Sequence, residues 1–167
     1  QQNESAGFSG IVWFKLRGYN GLGPMFFRQG FFMRYNNISK DLQCYIYNST
    51  GQFFFALSSL ISLSNGMWYS AGCVYNPISG NLSLYFNKNV VATTTISNFD
   101  QFQFGDKNLF AGSDGTNYFN GSIDEVRIWN RSLSVEEIRQ QYYSNLYKFN
   151  QTQWYLYVNQ SKNSTAV

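Results

Sequence analysis

A chain of 167 residues with 44% hydrophobic and 20% aromatic content suits one domain with a single core, plus an appendage, and leaves apolar surface to spare. Charged residues make up only 13%, the net charge is a modest +3, and Lys and Arg are scattered without a basic run, which gives nucleic-acid binding little support. Histidine is absent, which excludes every His-based catalytic triad and most zinc sites.

Residues 1–7 form a polar lead-in. Residues 8–17 alternate Val12, Phe14 and Leu16 against Ile11, Trp13 and Lys15, a strand apolar on both faces and so central in its sheet. The glycines and proline of residues 18–24 predict a loop, and residues 25–35 predict either an aromatic strand pair or one bulged strand, broken at Gly30. Residues 42–48 and 52–58 read as a hairpin across Asn48, Ser49, Thr50 and Gly51, and residues 60–63 as a short apolar edge. After an Asn65-Gly66 turn come a strand at 68–75, a proline-containing turn at 76–80, and a half-buried strand carrying Leu82, Leu84 and Phe86. The chain then returns through residues 90–96. Phe102, Phe104, Leu109 and Phe110 carry one more strand region, followed by a GSDG loop at 112–115.

In residues 120–143, NGSIDEVRIWNRSLSVEEIRQQYY, a period of two gives way to a helical one. Val126 and Ile128 share one face with Asp124 at its rim; Ile123, Glu125, Arg127 and Trp129 share the other. Ser134 and Glu137 then stand in capping-box spacing, Leu133 and Ile138 in staple spacing, and Ile138 and Tyr142 make an i, i+4 pair. A helix is expected from Ser134 to about Ser144. With ten to twelve short strands and turn signals every eight to twelve residues, the pattern is that of a sandwich or jelly roll.

The run from Gly121 to Ile138 resembles the C-terminal end of laminin-G-like domains of the concanavalin A-like lectin/glucanase superfamily, G-x-I-D-E-V-R-I-(aromatic)-N-R-x-L-(S)-x-x-E-I. NKNVVAT at 87–93 and SNGMWYSAGCVY at 64–75 resemble that family's NG-x-x-x-A-T hairpin and W-H-x-V-A-x-x-Y strand. The likeness spans roughly residues 8–143 and departs at the start, where family members usually carry one or two further strands. It implies an all-β, two-sheet antiparallel jelly-roll sandwich with one short C-terminal helix. Domain bounds on this reading are a lead-in at 1–7, the jelly roll at 8–146, and a strand or linker at 147–167.

Catalytic relatives in this superfamily hydrolyse glycans with two carboxylates on an E-x-D-x-x-E strand. This chain has four glutamates, of which Glu4 is in the lead-in, Glu136 and Glu137 serve the helix N-terminus, and Glu125 is expected to pair with Arg127 or another cation. A hydrolase is therefore the outlier. In relatives with a structural calcium, the aspartate matching Asp124 is a ligand, joined by backbone carbonyls; the alternative is an aspartate bonding nearby amides. Asp114 and Asp106 are weaker candidates for a loop-borne calcium. Sugar stacking could fall to Tyr19, Tyr35, Trp68, Tyr118 or Trp129, with Asn117 and Asp114 fixing hydroxyls, though aromatics in a sandwich serve more often as core or cross-strand partners.

Nine N-x-[S/T] triplets occur, at Asn3, Asn37, Asn48, Asn81, Asn120, Asn130, Asn150, Asn159 and Asn163, where composition predicts about three. The excess points to an N-glycosylated extracellular or cell-surface protein, with Asn120 and Asn130 alternatively serving as turn asparagines. Cys44 and Cys73 lie on separate strands, either bridged or buried as free thiols. No signal peptide and no apolar run near 18 residues is present, so Gln1 is expected to belong to a processed chain whose anchor, if any, lies outside it. In the tail, Trp154, Leu156 and Val158 alternate with polar-tipped neighbours as an extra strand. It either starts a following domain, folds back into the place of the missing first strand, or is donated to a neighbouring molecule. The sequence thus predicts a non-catalytic domain in adhesion or glycan recognition, with a strand-donating filament subunit as the alternative.

Overall fold

The computed structural model describes residues 7–18, 21–103, 108–148 and 154–158. The chain divides into two compact units, Gln1–Leu133 and Ser134–Val167. The first holds two antiparallel five-stranded sheets. One sheet is ordered β10-β1-β6-β7-β8, from β1 (Phe8–Leu16), β6 (Trp68–Asn76), β7 (Asn81–Phe86), β8 (Asn89–Thr95) and β10 (Gly121–Trp129). The other is ordered β5-β4-β3-β2-β9, from β2 (Leu22–Arg28), β3 (Phe31–Asn36), β4 (Asp41–Tyr47), β5 (Phe53–Leu57) and β9 (Phe110–Ala111). This is the jelly-roll sandwich that the alternation of residues predicts.

The core follows from that alternation. Phe8, Val12, Phe14 and Leu16 of β1 are buried in the main apolar cluster, together with Phe31, Met33 and Tyr35 of β3, Leu42, Cys44 and Ile46 of β4, and Leu82 and Leu84 of β7. Each large apolar side chain so buried contributes roughly 1.5–3 kcal/mol. Ile11, on the opposite face of β1, is also buried, as expected of a strand flanked by β10 and β6. A disulfide between Cys44 on β4 and Cys73 on β6 ties one sheet to the other, with both residues fully buried and their Cα atoms 6.2 Å apart. The buried Ser9 closes the unit: its Oγ accepts from the Leu133 amide at 2.8 Å and donates to the Arg131 carbonyl at 2.8 Å.

Four expectations change. The loop predicted up to Pro24 ends earlier, because β2 starts at Leu22 and takes Pro24 into the strand at a register slip between Pro24 and Phe26. A bulge lacks one ladder bond, so a residue without an N–H is tolerated there, and Met25 and Phe26 both turn inward. Residues 60–63 form no strand; Ile61 is held by backbone bonds to the neighbouring loop, and Leu60 is 72% exposed. The strand region at 102–110 shrinks to the two residues of β9 and a single bridge from Phe102 to Asn48, with Phe104 outside the described residues. In β10 the facing breaks at a bulge, where Glu125 has φ of 48°. The additional residue lets Ile123 and Val126 both pack on the core, against the simple period of two.

The second unit holds α1 (Val135–Tyr143) and two strands, β11 (Ser144–Lys148) and β12 (Trp154–Val158). The predicted capping box is present: the Glu137 amide donates to Ser134 Oγ at 3.2 Å, and the Ser134 amide to Glu137 Oε2 at 2.8 Å. The tail strand β12 pairs antiparallel with β11 as a two-stranded sheet.

Candidate functional site

Sheet β5-β4-β3-β2-β9 carries aromatic residues on both faces. On its inner face Phe26, Met33, Cys44 and Ala56 are paired across β2, β3, β4 and β5 and fully buried. The residue next to each of these along its strand belongs to an outer row. Phe110 pairs with Phe27, Phe27 with Phe32, Phe32 with Tyr45, and Tyr45 with Phe55. Directly paired residues share a face, so five aromatic side chains cross all five strands at the strand spacing of about 4.8 Å. Ring centroids lie 5.9 Å apart for Phe27–Phe32, 4.6 Å for Phe32–Tyr45 and 5.7 Å for Tyr45–Phe55. Tyr47 and Phe53, paired in the next row, extend the patch. Exposure rises toward the edge strands, with Phe53 at 55%, Phe55 at 42% and Phe110 at 41%.

A polar row flanks the rings. Arg34 pairs with Gln43, two residues along from Phe32 and Tyr45. The Arg34 guanidinium lies 5.4 Å from the Phe32 ring centroid and 5.1 Å from that of Tyr45, while its Nε donates to Gln43 Oε1 at 2.7 Å. Gln43 Nε2 in turn donates to Asp41 Oδ1 at 3.0 Å. Burial pushes the Tyr47 phenol up, aided by Tyr45, which keeps it protonated as a donor. Within electrostatic reach of Arg34 lies the turn at Asp114. Burial raises the Asp114 carboxyl, but hydrogen bonds from Asn117 and Thr116 and the charge of Arg34 together outweigh it and hold the group below the usual carboxylate value. Apolar rings beside a fixed guanidinium and amide are the chemistry that grips C–H faces and hydroxyls together.

The structure distributes the residues singled out in the sequence differently. Tyr35 is a core residue, 1% exposed, whose hydroxyl donates to the Ile61 carbonyl at 2.8 Å; it offers no ring to a ligand. Trp68 is 42% exposed and Tyr118 69% exposed, Trp129 is half-buried, and Tyr19 lies outside the described residues. Asn117 is turned onto Asp114, to which its amide and side chain both donate. Both carboxylate oxygens of Asp114 are thus engaged within its own turn. Asp124 is exposed and its Oδ1 accepts from the Glu125 amide at 2.8 Å. Calcium takes six to eight oxygens; among the described residues no three Asp, Glu, His or Cys side chains converge, so a calcium held at Asp124 would draw most of its ligands from backbone carbonyls. Glu125 pairs with Arg127 at 2.7 Å.

Of the sequon asparagines, Asn120 and Asn130 are exposed, and Asn37 and Asn81 are half-buried. Asn120 Nδ2 donates to the Gly18 carbonyl at 2.8 Å, as a turn asparagine would. Asn48 is 4% exposed, with its Oδ1 accepting from Thr50 and Gln52 at 2.8 Å each, so a glycan there would require the β4–β5 turn to open. Asn3, Asn150, Asn159 and Asn163 lie outside the described residues. Sequence reasoning missed the outer aromatic row. Its signal was the run of apolar or aromatic residues at successive positions in FFRQGFF, CYIY and QFFF, where alternate members must face outward.

The family model of Laminin_G_3, in the concanavalin A-like lectin/glucanases superfamily, matches residues 1–139. In fold the chain is similar to the native heptameric SAP-like pentraxin from Limulus polyphemus, with a TM-score of 0.63 and 12% identity over 81% of this chain and 69% of that one. It is also similar to the CBM40 of the Ruminococcus gnavus IT-sialidase, with a TM-score of 0.67 and 15% identity over 81% and 82% of the two chains. No curated protein sequence matches the chain.

Proposed function

The chain belongs to the laminin-G-like family of the concanavalin A-like lectin/glucanase superfamily, and from that premise we propose that it is a non-catalytic carbohydrate-recognition domain of an extracellular, N-glycosylated protein acting in adhesion. The observation that carries this reading is the outer aromatic row with its flanking Arg34–Gln43 pair. Sugar C–H faces would lie against Phe53 and Phe55 at the exposed edge, with hydroxyls reaching Arg34. A non-catalytic role is supported by the fate of the glutamates: Glu125 is neutralised by Arg127, and Glu137 caps a helix. The excess of sequons supports the extracellular part, and intact mass of the native protein before and after deglycosylation measures it.

A glycan array read in calcium and in chelator is the direct test, with the Phe53→Ala/Phe55→Ala variant beside the unaltered chain. Loss of about tenfold in affinity is expected in the variant at an unchanged fold. Absence of glycan binding in both conditions, or equal binding by the variant, would sink the reading. The alternative, a filament joined by donation of Trp154, Leu156 and Val158, requires the β11–β12 pairing to open first. Deleting residues 152–167 distinguishes it, since polymers that persist unchanged exclude strand donation.

A further inference from the structure

The loops at one end of the sandwich are drawn together by backbone hydrogen bonds. The Asn37 amide donates to the Gly21 carbonyl at 2.9 Å, the Ile61 amide to Lys40 at 2.6 Å, the Gly66 amide to Leu16 at 2.8 Å, and the Arg17 amide to Asn120 at 3.1 Å. Residues 17 and 21 and segments 37–40, 60–67 and 118–120 therefore share this end. The last three carry large apolar side chains held out in solvent on or beside their tips: Ile38 at 77%, Leu60 at 72%, Met67 at 58% with Trp68 at 42%, and Tyr118 at 69% exposed. The hydrophobic effect opposes such exposure; exposed aliphatic residues occur elsewhere too, Ile78 at 97% and Leu109 at 45%, but five large apolar side chains gather at this end, and such a group calls for something to cover it.

The surrounding charge indicates what does. Lys15 Nζ sits 4.9 Å from the Trp68 ring centroid, Arg17 is exposed, Lys40 lies in the 37–40 turn, and Lys88 lies in the turn after β7, which is joined to the same end through the Asn87 amide and the Ser70 carbonyl. The acidic groups described near this end are Asp41, occupied by Ser39 and Gln43, Asp114, occupied by its own turn, and the exposed Asp124 on β10, which pairs across from Trp13 and accepts from the Glu125 amide. Aliphatic tips, a Trp and a Tyr, ringed by four cations, match the boundary between acyl chains and anionic headgroups. Their separation onto distinct loops suits a fluid surface better than one continuous protein interface, whose anchors cluster in a packed centre. We propose that this loop end docks on an anionic lipid surface, seating Ile38, Leu60, Met67, Trp68 and Tyr118 in the interface.

This inference is independent of glycan binding by the outer sheet face. Co-sedimentation of the full chain with phosphatidylcholine vesicles, with and without phosphatidylserine, tests it. Binding is expected to require phosphatidylserine, to weaken as salt rises, and to fall by about tenfold in Leu60→Ser/Met67→Ser, two exposed positions whose change leaves the core intact. Phe53→Ala/Phe55→Ala is expected to bind vesicles as the unaltered chain does. Failure to bind either vesicle, or equal binding by the Leu60/Met67 variant, overturns the proposal and leaves the tips to a protein partner. Asn37 and Asn120 stand at the same end, so peptide mass mapping of the native protein adds a second readout. Glycans on both would hold a bilayer away and equally overturn it.

Discussion

Phe26 and Phe27 are successive residues of the same type on one strand, yet they belong to different parts of the molecule's chemistry. Phe26 is fully enclosed, with ring centroids of Phe8 and Phe31 at 6.5 and 5.9 Å, whereas Phe27 lies half-buried on the outer row with Phe32 as its ring contact. The same division runs across the sheet, Met33 against Phe32, Cys44 against Tyr45 and Ala56 against Phe55. The inner member of each pair holds the sandwich together. The outer member adds less to the fold, through cross-strand ring contacts, since a polar residue would also satisfy a solvated face, and on the proposed reading the row serves a ligand outside the chain.

The largest expected effect breaks the pair at Phe26. Phe26→Ala is expected to cost about 3–5 kcal/mol, through lost transfer free energy and the cavity left behind, while Phe27→Ala costs about 1 kcal/mol or less. Urea unfolding of the two variants measures the contrast; similar midpoints would mean the outer row is structural. Next comes the Cys44–Cys73 bridge, which joins the inner row to the other sheet across a separation of 29 residues. Replacing both by serine is expected to cost on the order of 3 kcal/mol by loop entropy alone, with a lower urea midpoint, while leaving the outer aromatic row in place.

The smallest expected effect concerns the rim. Asp114 and Asp100 are both held below the ordinary carboxylate value, Asp100 chiefly by the Ser49 hydroxyl. A carboxylate with a depressed folded-state pKa stabilises the fold fully above its unfolded value near 3.8, and that contribution is lost as pH falls through the folded value. Thermal melting followed from pH 6 to below about 3.5 is expected to show a gentle fall at the acid end, shallower in Asp114→Asn. An identical acid slope in that variant would remove the Asp114 turn from the account.

Much of this protein was legible from local pattern. The alternating β1, the β4–β5 hairpin, the turn between β6 and β7, and the Ser134 capping box all depend on residues a few positions apart, and a period of two or a four-residue spacing reports them directly. The closing motif likewise carried the family resemblance. What escaped was whatever depends on partners far along the chain. Pro24 could join a strand only because a bulge against β3 excused its missing N–H, and Ile123 and Val126 share a face only because of the bulge at Glu125. Tyr35 reads as a surface ring until the Ile61 carbonyl, 26 positions away, takes its hydroxyl inside.

The sequence by itself determined a two-sheet sandwich, its family and the positions of most turns, because hydrophobic period and turn chemistry act within a few residues. Tertiary structure decided which aromatics are core and which are surface. Phe27, Phe32, Tyr45, Phe55 and Phe110 become one row only through the register of five strands, and Ile38, Leu60, Met67 and Tyr118 become one end only through hydrogen bonds between loops. Both surfaces are made by pairing between segments distant in the chain, and no local pattern carries that information.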